Sequence, residues 1–118
     1  MSQQTVQLRI EHDADVTVIS VLSTRISVEL SDSFEEQVVQ AVDRLASPKV
    51  LIDFDGVLFI SSAILGKLIK LNGRVLDRKG QFKLSSLSDR IAEVFKITGL
   101  DRLFSIYKTR DLAVRAFE

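Results

Sequence analysis

The chain has 118 residues, 46% apolar and 27% charged, with 16 Lys and Arg balancing 16 Asp and Glu and no cysteine. That length carries one core rather than two, so residues 1–118 read as a single soluble domain. Balanced charge provides no field to draw it to nucleic acid or an anionic membrane, and the missing cysteines exclude disulfides, thiolate metal sites and cysteine nucleophiles. His12 is the lone histidine; it cannot build a histidine metal cluster, and it reads as exposed in a polar segment. No apolar run is long enough for a membrane span, and MSQQTVQLRI lacks the basic-then-apolar plan of a signal peptide. The expectation is a cytoplasmic protein without a cofactor.

In chain order, Val6, Leu8 and Ile10 alternate with Gln7 and Arg9 as a half-buried strand, with a turn at His12 to Asp15. Val16 to Leu22 is a β-branched second strand paired with the first. Ser23 to Ser31 is ambiguous, a short strand around Arg25 to Val28 or a surface crossing. Ser33 with Glu36 predicts a capping box, followed by Phe34, Val38, Ala41, Val42 and Leu45 at helical spacing. Ala46-Ser47-Pro48 ends that helix. Lys49 to Phe54 is the most apolar strand and so belongs in the middle of a sheet.

Asp53 and Asp55 then precede Gly56, a second apolar run (Val57 to Ile60), and Ser61-Ser62 at the start of a helix reaching about Lys79. On a helical wheel, Ile64, Leu65, Leu68, Leu71, Val75 and Leu76 make an apolar face, and Lys67, Lys70, Arg74 and Arg78 gather on the far side. Between them runs a narrow strip of Ser62, Gly66, Ile69 and Gly73. Two glycines inside a helix cost roughly 1 kcal/mol each relative to alanine, which calls for close approach of another backbone. The first expectation is this domain's own sheet or a neighbouring helix; the second is a partner-binding groove. Gln81 to Ser85 is a further strand with Phe82 and Leu84 inward. Ser88 caps a third helix stopped at Thr98-Gly99, Leu100 to Ile106 is a short apolar return, and Thr109 caps a last helix. Strands alternating with helices predict an α/β fold with a mostly parallel sheet.

Two kinds of phosphate chemistry suit the Asp53 to Ser62 region. VLIDFDGVLF looks like the first motif of haloacid-dehalogenase-type phosphatases, with Asp53 as nucleophile and Asp55 as general acid–base. Such an enzyme needs Mg²⁺ held by later carboxylates, and the strand at Phe82 ends instead in Ser85-Ser86. The motif also begins only after roughly fifty residues that already build two strands and a helix. The bland reading makes Asp55-Gly56 a turn. No Ser–His–Asp triad or glycine-rich phosphate loop is present, and the expectation is a protein that is not an enzyme.

The same stretch, IDFDGVLFISSAILGKLI, resembles the core signature of STAS domains, the bacterial anti-sigma factor antagonists: a strand, Asp-x-x-x-Val-x-Phe-x-Ser-Ser, then a helix. TGLDRLFSIY, Thr98 to Tyr107, is similar to the family's second familiar segment, and the likeness runs from about Val6 to Phe117. It implies a STAS-like single domain, a mostly parallel four- to five-stranded sheet with an N-terminal antiparallel strand packed against about four helices. It also implies a partner switch: binding to an anti-sigma factor that is a serine kinase, release on serine phosphorylation, and resetting by a PP2C-type phosphatase. Carried over by position, the phosphorylated residue is Ser61, with Ser62 directly after it. The implied partner surface is Ser61, Ser62, Ala63, Gly66, Ile69 and Gly73. The family's Asp is Ile60 here and its Gly is Ala63. An unphosphorylated STAS scaffold or signalling adaptor is the alternative, and a Mg-dependent aspartyl phosphatase the remote one.

Overall fold

Every side chain of the strand Val16–Val21 (β2) is buried, and four of the five in Lys49–Asp53 (β4), because these two strands run side by side in the interior of the sheet. A computed structural model describes residues 4–118. Around this pair, the strands Leu8–Asp13 (β1), Gln81–Ser85 (β6) and Ser105–Tyr107 (β7) complete a five-stranded sheet in the order β1-β2-β4-β6-β7. β1 is antiparallel to β2, and every other pairing is parallel. The four helices are Ser31–Val42 (α1), Ser62–Asp77 (α2), Asp89–Thr98 (α3) and Arg110–Arg115 (α4). This is the α/β architecture expected from the alternation of elements.

The alternating faces of the strands divide the core. Val50, Ile52, Phe82 and Leu84 pack with Phe34 and Val38 of α1, Leu68 and Val75 of α2 and Phe95 of α3. Val16, Val18 and Leu51 face the other way, against Ala113 of α4. Each large apolar side chain buried here stabilises by about 1.5–3 kcal/mol, so the thick helical layer supplies most of the driving force.

Local signals that use only neighbouring residues read correctly. Ser88 accepts from the Ile91 amide at 3.2 Å, Thr109 from the Leu112 amide at 3.2 Å, and Gly99 closes α3 in the left-handed conformation. Other expectations shift or resolve. β1 starts at Leu8 rather than Val6 and runs to Asp13, because it pairs residue for residue with β2 through a two-residue turn at Ala14-Asp15. Ile10, placed inward by its alternation, is 44% exposed on this edge strand. The ambiguous stretch holds a two-residue strand, Arg25–Ile26 (β3), and a 3₁₀ turn, Val28–Leu30, which runs straight into α1.

That continuity removes the Ser33 capping box. With α1 beginning at Ser31, Ser33 lies inside the first turn, and its hydroxyl accepts instead from the Val6 amide and from Gln37 Nε2, both at 3.1 Å. α1 also stops at Val42, short of Ala46. Arg78, at the end of α2, reaches across and donates to the carbonyls of Asp43 and Leu45, which the helix end leaves without intrahelical partners. Gly80 is the glycine the packing needs: a Cβ there would sit 2.2 Å from the Pro48 carbonyl oxygen and 2.9 Å from Val75 Cγ1. That carbonyl accepts from the Gln81 amide at 2.8 Å, so β4 and β6 are laced together at this point. Among the described residues no helix is long and apolar enough to cross a membrane.

Candidate functional site at the start of the second long helix

Between β4 and α2 the chain makes three moves. Phe54 accepts from the Val57 amide across a turn at Asp55-Gly56, with Gly56 at φ +84, a conformation that favours glycine. Phe59–Ile60 (β5) then pairs in parallel with β3. Ser61 follows as the N-cap of α2, its amide donating to Ile26 O at 2.9 Å and its carbonyl accepting from the Ile64 amide at 3.0 Å. The backbone of Ser61 is therefore fixed from both sides.

The two serines differ. The Ser61 hydroxyl makes no capping bond, is buried and has no hydrogen-bond partner, so the residue that the resemblance implies is phosphorylated keeps its hydroxyl enclosed. Ser62, the first residue of the helix, is exposed. Ile60 is partly buried against the main core, so the residue standing in the place of the family's acid serves packing.

Beyond Ser62, Gly66 and Gly73 are exposed and nothing lies within 4 Å of where their Cβ atoms would be. The expected approach of this domain's sheet or a neighbouring helix does not occur, because α2 presents Ile64, Leu68, Leu71 and Val75 to the core instead. Ile69 is 43% exposed on the same strip, and Ala63 is partly buried. Of the apolar run at 57–60, only Val57 is buried. Leu58 is 64% exposed, and Phe59 lies under the Arg25 guanidinium at 4.4 Å. Leu58, Phe59 and Arg25 extend the exposed surface in a way the sequence reading missed. Four successive apolar residues in an extended segment cannot all face one core, and that was the available signal.

The basic flank of α2 is committed to α1. Lys67 bonds Glu35 at 2.7 Å and Asp32 at 3.2 Å, Lys70 bonds Glu35 at 3.0 Å, and Arg74 grips Asp43 with two bonds of 2.6 and 2.9 Å. Hydrogen bonds from Lys67 and then Lys70 hold the Glu35 carboxyl below its ordinary value, and Arg74 does the same to Asp43. Lys67 is raised in turn by Glu35 and then Asp32.

The carboxylates of the phosphatase reading sit apart in character. Asp53 is buried at the end of β4 and accepts from Ser85 Oγ at 2.9 Å, while Asp55 is exposed in the turn. His12 is exposed near Thr17.

The STAS domain family model matches residues 7–113, from β1 into α4. The chain belongs to the STAS domain family. A STAS domain protein of Planctomyces limnophilus, an anti-sigma-factor antagonist by its description, superposes with a TM-score of 0.86 at 30% identity, covering 92% of this chain and 96% of that one. An anti-sigma factor antagonist of Mycobacterium paratuberculosis superposes with a TM-score of 0.84 at 26% identity, over 96% of this chain and 94% of that one. In sequence, the chain is 25% identical over 104 residues to BtrV of Bordetella bronchiseptica, named as an anti-sigma factor antagonist, across 88% of this chain and 89% of BtrV. The STAS fold thus accounts for the sheet order and the antiparallel first strand.

Proposed function

We propose that this STAS protein is an anti-sigma factor antagonist, a non-catalytic binding module of the cytoplasm. Its docking surface is the start of α2 and the strip Ser61, Ser62, Ala63, Gly66, Ile69 and Gly73, and its partner is an anti-sigma factor that is also a serine kinase. The names of its relatives support the class of partner. The observation that carries the site is the open strip beside an accessible hydroxyl: Ser62 is exposed at the helix start, whereas Ser61 Oγ is enclosed.

On this reading Ser62 is the preferred phosphate acceptor, since Ser61 must rotate out of its packing before any kinase reaches it. A phosphate at Ser62 adds roughly −1.5 to −2 charge. The amide-rich N-terminus of a 16-residue helix tolerates that charge, so the fold has no reason to rearrange. The cost falls on the partner, whose surface would meet a bulky dianion where it met a neutral hydroxyl. A PP2C-type phosphatase would reset the switch.

Incubation with the host's switch kinases and ATP, read by intact mass, tests the assignment. One phosphate is expected on the wild type and on Ser61→Ala, and none on Ser62→Ala. Ser62→Asp is expected to weaken partner binding by about a hundredfold, the scale of an uncompensated charge in an interface. Absence of phosphate together with unchanged affinity for Ser61→Asp and Ser62→Asp would sink the switch. It would favour a constitutive scaffold or signalling adaptor, the reading supported by Ile60 where the family keeps an acid.

A further inference from the structure

A row of polar residues crosses the sheet on the face that α4 partly covers. Arg9 is paired with Ser20, Ser20 with Asp53 and Asp53 with Ser85, so four adjacent strands place these side chains on one face at one level. Ser20, Asp53 and Ser85 are all buried. One step earlier along the strands the same face is apolar, with Val18 and Leu51 against Ala113. Burying polar groups costs free energy unless each is hydrogen-bonded, so a polar row at the end of an apolar layer needs a reason.

Ser85 Oγ donates to Asp53 Oδ1 at 2.9 Å, and neither Asp53 Oδ2 nor Ser20 Oγ is enclosed without a partner, since both residues border open space. Both residues line an open cleft of about 750 Å³ above the carboxyl ends of β2, β4 and β6, a size that suits a small molecule. Its walls are the Asp55 to Leu58 turn, the segment Ser86 to Ser88 leading into α3, and Lys108 to Arg110. Arg110 is paired with Glu11, whereas Arg9 and Lys108 have no acidic partner among the described residues. Ser86 holds φ +63 at the rim, a costly conformation for a residue with a Cβ. No aromatic ring lines the cleft, so there is nothing to stack a nucleobase.

We infer that this cleft binds a small polyol carrying one anionic group, a sugar phosphate or a sugar acid. Asp53 Oδ2 and Ser20 take the hydroxyls, and Arg9 and Lys108 the anion. The site shares Leu58 with the exposed surface near Ser62 but contains neither serine, and it does not depend on the partner-switch reading. Amide NMR titration of the full chain with ribose 5-phosphate, gluconate and inorganic phosphate tests it. Saturable shifts centred on Ser20, Asp53, Ser86 and Lys108 are expected with one of the two polyols, which tells phosphate from carboxylate. Asp53→Asn, Arg9→Ala and Lys108→Ala should each weaken that binding by at least about tenfold, the loss expected for one charge-assisted hydrogen bond. The two surface variants keep the test valid if Asp53→Asn fails to fold. No saturable shift with either polyol overturns the proposal. So does equal binding of inorganic phosphate, which would mean an adventitious ion only, or binding that all the folded variants leave unchanged.

Discussion

On one flank of α2, Lys67, Lys70, Arg74 and Arg78 are each taken up by α1 or by the turn that follows it; on the other, Ser62, Gly66, Ile69 and Gly73 stand open. In the sequence both flanks are regular stripes, and the basic one looks more like a surface waiting for a partner. The structure reverses that impression, because acids roughly thirty residues earlier in the chain neutralise the basic stripe and nothing arrives to cover the glycines. A charged stripe is thus no guide to a free surface until its sequence-distant neighbours are known. A stripe of small residues that the fold leaves bare has no role in packing to explain it.

If that contrast is right, the fold should depend on Gly80 and not on Gly66 or Gly73. A methyl at Gly80 collides with the Pro48 carbonyl, a backbone atom already held by the Gln81 amide. Gly80→Ala is expected to cost about 3 kcal/mol, since the strand pair must open to admit it. In a thermal melt this is a fall on the order of 10 °C. A melt that stays put would mean the β4–β6 junction is softer than its hydrogen bonds indicate.

The second test has the opposite sign. Gly66→Ala and Gly73→Ala meet open space inside a helix, so each is expected to stabilise by about 0.5–1 kcal/mol through helix propensity and a less flexible unfolded chain. The double variant should melt higher and still lose affinity for an anti-sigma partner, because the added methyls fall on the proposed docking strip. A variant that melts lower would show that the strip does pack inside the fold. One that melts higher and binds unchanged would move the docking surface elsewhere.

The same contrast explains what the sequence made legible. Ser88, Thr109 and Gly99 were readable because a cap or a stop involves residues three or four apart. The strand and helix order followed from periodicity in the same way. Ser33 misled because the Val6 amide, distant in sequence, claims its hydroxyl, and the end of α1 misled because Arg78 supplies the capping from another helix. At the candidate site, the motif located the Ser61-Ser62 pair and put Ser61 first by position. The proposed preference for Ser62 rests instead on Ile26, whose carbonyl holds the Ser61 amide, and on the packing that encloses the Ser61 hydroxyl.

The smallest expected effect lies on the charged flank. Glu35 carries a carboxyl held below its ordinary value of 4.5 by Lys67 first and Lys70 second, against a lesser opposing effect of burial. A carboxylate whose folded pKa is depressed stabilises fully above its unfolded pKa and loses that contribution as pH falls through the folded value. The pairs therefore contribute fully at neutral pH, and their contribution begins to fade only below 4.5, as the pH approaches the lower folded value. Lys70 is two-thirds exposed, so water and salt screen the network, and its whole contribution should stay below about 1 kcal/mol. Glu35→Gln is expected to destabilise by that small amount at neutral pH, and the difference from wild type should shrink in acid, as the pH falls through the lowered folded pKa. Denaturant melts at neutral pH and in acid, repeated in high salt, separate this from packing. A penalty that persists in acid and in salt would belong to the Glu35 side chain's contacts with α2, and the flank would then be held by shape rather than by charge.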